Sequence, residues 1–203
     1  MSPVPVALGP LLPTLVVAGT GMLVLLLDLL PPRESKTHLG TLALAGLVGA
    51  LVASMLRWGQ DGRAFRGMIV LDQHALFFHI VIAYAAALVV MLSMDYLRRA
   101  GRESGEYYAL LLFSTSGMLL VASAGDLIVV FLGIELMSLS LYVLAGLFTR
   151  DLESTEASMK YFLLGAFASS FFLYGIALMY GATGSTSFEK IMAAAPGDRK
   201  SVV

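Results

Sequence analysis

The stretch LIVVFLGIELMSLSLYVLAGLF, residues 127–148, decides the architecture. Its 22 residues carry one charge, Glu135. Crossing the ~30 Å hydrocarbon core takes about 20 apolar residues as a helix, so the stretch reads as a membrane span with an ionisable group near its middle. A membrane β-barrel would instead alternate apolar and polar residues at every second position.

Five more windows of the same kind lie around it, at 11–30, 39–56, 75–94, 107–124 and 157–180. Pro31 and Pro32, which lack the amide hydrogen needed to continue a helix, close the first window. A short Gly125-Asp126 break separates the fourth window from the fifth. Of all the charged residues, only Asp28, Glu135 and Lys160 fall inside these windows, and the rest outline loops and ends. The expected fold is all-α, a polytopic transmembrane bundle of about six helices over residues 11–181. An extramembrane segment, 1–10, precedes it and a polar tail, 182–203, follows.

Composition leads to the same class. Hydrophobic residues make up 58% of the 203, and glycine raises the apolar share to about 68%, against about 45–50% for soluble domains. Charged residues are 13%, about half the usual share, too few to cover a soluble surface. The mean hydropathy is +0.85. Disorder and nucleic-acid binding are thereby excluded, and the partner implied is the lipid bilayer. The absence of cysteine removes disulfides and thiolate metal sites. MSPVPVALGPLLP carries no Lys or Arg, so the first apolar run reads as a retained span rather than a cleaved signal peptide.

Orientation follows from where the positive charges fall. The connections after the first, third and fifth spans hold Arg33, Lys36, Arg98, Arg99, Arg102 and Arg150. The opposite side holds Arg57, Arg63 and Arg66, and the tail adds Lys190, Arg199 and Lys200, which evens the count. With the tail set aside, the positive-inside rule puts the N-terminus outside.

Glu135 requires a reason to be where it is. An ionisable residue at the bilayer centre costs about 2.5–3.5 kcal/mol on insertion scales. Because low dielectric disfavours a carboxylate's charged form, such a group serves to load and release a proton or to pair with a charged substrate. The bland alternative is a neutral carboxyl bonded to a neighbouring helix. Ser138 and Tyr142 follow at i+3 and i+7 and extend a polar stripe. Lys160 lies about one turn into the sixth window, with Glu156 at i−4 in the favourable order for an ion pair. From the window ends, Glu135 and Lys160 differ in depth by about 12 Å, which argues against a direct salt bridge and for two stations on one hydrated path.

Other polar residues read more simply. Asp28, within a turn of Pro31, is interfacial. His74 and His79 form no metal-ligand set, and Tyr107 and Tyr108 open the fourth span as an interfacial belt would. Ser114, Thr115 and Ser116 bond back to backbone or a neighbour more often than they wet a pathway. Gly46 with Ala50, Ala45 with Gly49, and Gly165 with Ser169 mark close helix contacts.

From Asp126 to Thr186 the sequence closely resembles the subunit N family of bacterial proton-pumping NADH:quinone oxidoreductase, respiratory complex I. IELMSLSLYVL at 134–144 carries the resemblance most specifically, supported by MIVLDQHALFF at 68–78, MLSMDYL at 91–97 and LVLLLDLLPP at 23–32. It extends over roughly residues 11–191. It implies the first part of an antiporter-like inverted-repeat fold, an N-terminus outside the bacterial plasma membrane, and proton translocation coupled to quinone reduction. Glu135 and Lys160 match the family's proton-handling glutamate and lysine. NADH, flavin, iron-sulfur clusters and quinone would belong to other subunits, with no cofactor or metal held here. The implied partners are the other complex I membrane subunits.

Ser140 departs from the family, which often has proline there, a tolerable change. Family members continue through eight further helices, whereas the pattern fades after Ile191, so a fragment or truncated frame is expected. No catalysis is expected of the chain alone. Two other classes compete: a subunit of a cation/proton antiporter of related architecture, and a non-transport membrane scaffold.

Overall fold

Asp72, Asp126 and Asp151 set where three of the helices begin. Each takes up an extended backbone and turns its carboxylate back to accept from an otherwise unpaired amide: Ala75 at 2.8 Å, Ile128 at 2.8 Å and Glu153 at 3.1 Å. The computed structural model describes residues 8–30, 36–148 and 151–194. Within them lie α1 (Leu12–Asp28), α2 (Thr37–Leu56), α3 (Gln73–Arg99), α4 (Gly105–Ala122), α5 (Leu127–Ala145), α6 (Leu152–Thr183) and a short α7 (Phe188–Ala194). Six of these are long and apolar enough to cross a membrane. The protein is a multi-pass membrane helix bundle. The stop at Pro31 and Pro32, Arg33, Arg150, residues 1–7 and the tail from 195 lie outside the described residues.

Two helices run past their apolar windows for one reason. Charged residues were read as helix ends, yet Arg98 and Arg99 occupy the last turn of α3 and Glu153 the first turn of α6. There each sign complements the helix dipole, so the charge prolongs the helix instead of stopping it. At its other end α6 is closed by Gly184, whose φ of +69° favours glycine and whose amide reaches the Tyr180 carbonyl at 2.7 Å.

The core lies among α1 to α4, where Val17, Val24, Leu39, Leu47, Val90, Leu112 and Leu119 are buried together. Tyr108 is also buried there, against Gly40, instead of standing in an interfacial belt. α5 packs on α4 at very short range, since a Cβ on Gly117 would come within 2.6 Å of the Gly133 carbonyl. Lipid tails give apolar helices little reason to associate, so contacts of this kind depend on small residues. α6 lies mainly on α5, with Ile176 its single buried residue.

The two ends of the bundle are tied differently. At one end β1 (Gly62–Ala64) and β2 (Ile69–Leu71) form an antiparallel hairpin between α2 and α3. Its Val70 amide donates to the Ser123 carbonyl at 2.8 Å, and Gly125 donates to Met68 at 2.8 Å, which fixes the α4–α5 turn. The α6–α7 turn joins the same knot: Leu127 donates to the Thr186 carbonyl at 2.9 Å and the Thr186 hydroxyl to Asp126 at 2.8 Å. At the opposite end Lys36 pairs with Asp28 at 2.7 Å, and the Arg102 guanidinium lies 4.6 Å from the centre of the Phe148 ring.

Candidate functional site

Glu135 is the ninth of the 19 residues of α5 and is half-buried against α6. Its Oε1 accepts a hydrogen bond from the Ser169 hydroxyl. The carboxyl therefore points across the helix seam midway along α5.

The seam has a definite register. Ser154 donates to the Ala145 carbonyl at 2.5 Å, Ser158 to the Tyr142 carbonyl at 2.8 Å, and Phe131 and Phe172 bring their rings 6.1 Å apart on the far side of Glu135. Between the serine pairs and Glu135 lies Gly165, where a Cβ would come within 1.7 Å of the Tyr142 hydroxyl. The absence of a side chain at Gly165 makes room for that phenol. Tyr161, 4.7 Å from Tyr142 ring to ring, and Phe162 pack around it edge-on.

This register separates the two charged candidates. Ser169 stands at the depth of Glu135, and Lys160 is nine residues earlier on the same unbroken helix, about 13 Å along its axis. Lys160 pairs instead with Glu156, one turn back on α6, and both side chains are exposed. Because α6 begins at Leu152, Lys160 lies over two turns into its helix, deeper than the apolar window placed it. Tyr142, seven residues after Glu135, lies between the two levels.

Most of the remaining polar residues have structural partners, and the buried Ser114 hydroxyl has none among the described residues. His79 is fully buried in α3; its Nε2–H donates to the Leu119 carbonyl at 2.9 Å, and His74 is exposed. Thr115 and Ser116 bond back to Leu111 and Leu112 at 2.8 Å each, as hydroxyls in membrane helices commonly do. Among the described residues no cluster of three or more His, Cys, Asp or Glu is placed to hold a metal ion. Ser169 was legible only as a small residue near Gly165. Its partner is 34 positions away, and no local spacing reveals a contact of that range.

Comparison with known proteins bears on this geometry. Residues 124–202, which include α5, α6 and the seam, match a family model described as NADH:quinone oxidoreductase/Mrp antiporter, TM. A 48% identical relative over 185 residues is NADH-quinone oxidoreductase subunit N of Trichlorobacter lovleyi, aligned to 91% of this chain and 38% of that protein. Among solved structures, a chain of respiratory complex I from Thermus thermophilus with bound aureothin matches with a TM-score of 0.72 at 35% identity, covering 93% of this chain and 40% of that one. A chain of an archaeal membrane-bound sulfane sulfur reductase shares the fold alone, with a TM-score of 0.73 at 23% identity over 92% of this chain and 40% of its own. The chain thus spans about two fifths of the length of the relatives it matches. Over that span its sequence and its helix arrangement agree, and the chain belongs to the NADH-quinone oxidoreductase subunit N family.

Proposed function

We propose that this chain works as part of a membrane-arm subunit of a proton-translocating NADH-quinone oxidoreductase. Glu135 is its proton-carrying carboxyl, and Lys160, exposed on α6 beside Glu156, is a second charged station. The observation that carries the reading is the carboxyl midway along α5, bonded across a helix interface by a hydroxyl that can donate to it in either protonation state. A carboxyl retained there at a cost of a few kcal/mol is suited to a proton that must enter from one side and leave by the other.

In this reading Glu135 takes up a proton from one side and gives it up to the other while its carboxyl is bonded to Ser169. Lys160, with Glu156 beside it and about 13 Å along α6 from Ser169, biases that exchange electrostatically or passes charge along. Tyr142 contributes a hydroxyl between the two levels. Quinone reduction and the NADH, flavin and iron-sulfur chemistry that drive it belong to other subunits. The chain offers neither a cysteine for a cluster nor a Gly-rich dinucleotide loop following a strand. Its partners are the neighbouring membrane subunits and the lipid around them. Its place is the bacterial plasma membrane with the hairpin end and the N-terminus outside, supported by Arg98, Arg99 and Arg102 at the opposite end.

A subunit of a cation/proton antiporter is the second reading, favoured by the breadth of the family description that matches residues 124–202. Sodium-dependent pH gradients formed without NADH would distinguish it. The test of the first reading is Glu135→Ala and Glu135→Asp in the full-length subunit of an assembled complex. Both are expected to lower the number of protons moved per electron. Pumping at the wild-type ratio in both variants overturns the role given to Glu135, and a scaffold role would then stand.

A further inference from the structure

Between α3, α4 and α5 lies a cavity of about 360 Å³, away from the Glu135 seam. Ile82 and Val89 of α3, Leu111 and Met118 of α4 and Leu141 of α5 form its apolar walls. Leu144, which also lines it, comes nine residues after Glu135, about two and a half helical turns, and so occupies the opposite face of α5. The cavity therefore shares a helix with the candidate site and none of its residues.

One polar group in the cavity has nothing to bond. Ser114, tenth of the 18 residues of α4, is 2% exposed, and its hydroxyl has no partner among the described residues. The next two residues, Thr115 and Ser116, donate to carbonyls one turn back, Leu111 and Leu112, at 2.8 Å each. Ser114 makes no such bond to Leu110. A hydroxyl closed off from water and left unpaired is destabilising, so a ligand that brings it an oxygen acceptor gains more than apolar burial alone provides. Apolar walls with one oriented polar group are the usual make-up of a small-molecule site, and the volume lies within the range of about 300–1,000 Å³ common to such sites.

Val81 and Val89, on the α3 side of the cavity, are exposed and stand near the middle of that helix. Among the described residues the cavity thus opens sideways, at the depth of the hydrocarbon. A ligand arriving through lipid does so most readily with one acceptor and no donor, because each further polar group adds to the cost of crossing hydrocarbon. We propose that this cavity binds a lipid-soluble ligand made of an apolar body and a single carbonyl oxygen. The oxygen accepts from the Ser114 hydroxyl, and the body lies against Ile82, Met118 and Leu141. The proposal is independent of any role for Glu135.

The experiment is photolabelling with benzophenone, itself an apolar ketone, which on illumination inserts into C–H bonds beside its carbonyl. It is run on the 203-residue chain in phospholipid vesicles and on the full-length subunit in an assembled complex, with adducts located by peptide mass spectrometry. Saturable labelling at Met118, or at Ile82 or Leu141 facing it, is expected in both. Phenylcyclohexanone should displace the label at about one fifth of the membrane concentration that phenylcyclohexane needs, since the two differ only by the ketone oxygen. In Ser114→Ala the two competitors should become equal. Equal competition in the wild type overturns the proposal, and labelling that does not saturate shows that lipid chains alone fill the cavity. Labelling of the 203-residue chain that vanishes in the assembled complex shows that protein covers the cavity, and overturns the proposal as well.

Discussion

Glu135 and Gly165 describe the site from opposite directions, one by the group it carries and the other by the group it lacks. The glutamate stands out in the sequence as the one charge in residues 127–148, where an ionisable group is costly. The glycine was legible only as a close-contact residue, and its actual neighbour, the Tyr142 hydroxyl, became visible once α6 lay along α5. Gly165→Ala is expected to force that phenol aside and destabilise the bundle by about 1–3 kcal/mol, the usual cost of overpacking. Combining it with Tyr142→Phe, which removes the obstructing oxygen, should recover much of the loss. Thermal unfolding of the four variants in detergent checks this, and additive costs would contradict the proposed collision. Lys160 is the reverse case: its partner Glu156 lies on the same helix at i−4, so the spacing alone announced the pair.

At the scale of elements, apolar runs between charges indicate the spans well, because a membrane helix must satisfy its backbone internally and hide its side chains in lipid. They indicate helix ends poorly. Arg98, Arg99 and Glu153 belong to helices that continue through them, since terminal charge of the right sign is welcome. The hairpin and α7 went unread because three-residue strands and a seven-residue helix leave no periodic trace long enough to recognise. Asp126 is the residue around which these short pieces converge. One of its oxygens caps α5 through the Ile128 amide, and the other holds Thr186 at the α6–α7 turn. Asp126→Ala is expected to cost about 0.5–2 kcal/mol for the lost cap, and more for the lost bond to Thr186. Asp126→Asn keeps the cap and should lose less. Unfolding in detergent measures both, and an unchanged midpoint in Asp126→Ala would show that the knot does not anchor α5.

For the whole molecule, the alternation of its two ends matters most. One end gathers the hairpin, the α4–α5 turn and α7, and the other gathers the Asp28–Lys36 pair and the Arg102–Phe148 contact. Positive charge in the sequence favoured one orientation and then balanced once the tail was counted, because a rule about loop charge has little to act on when each loop holds so few. The chain has no cysteine, so single thiols can report sidedness directly. Gln60→Cys, in the connection between α2 and the hairpin, should react with a membrane-impermeant reagent on intact cells, and Glu106→Cys, at the start of α4, only after permeabilisation. The opposite pattern would invert the assigned topology.

A carboxyl midway along an apolar helix, met by a hydroxyl from the next helix, is the feature from which the proposed function is built. The direct measurement is the number of protons translocated per electron by a complex assembled with the full-length subunit carrying Glu135→Gln, which keeps hydrogen-bonding capacity and removes titration. A ratio below wild type with assembly intact is the predicted result. A wild-type ratio would mean that Glu135 holds helices together and carries no protons.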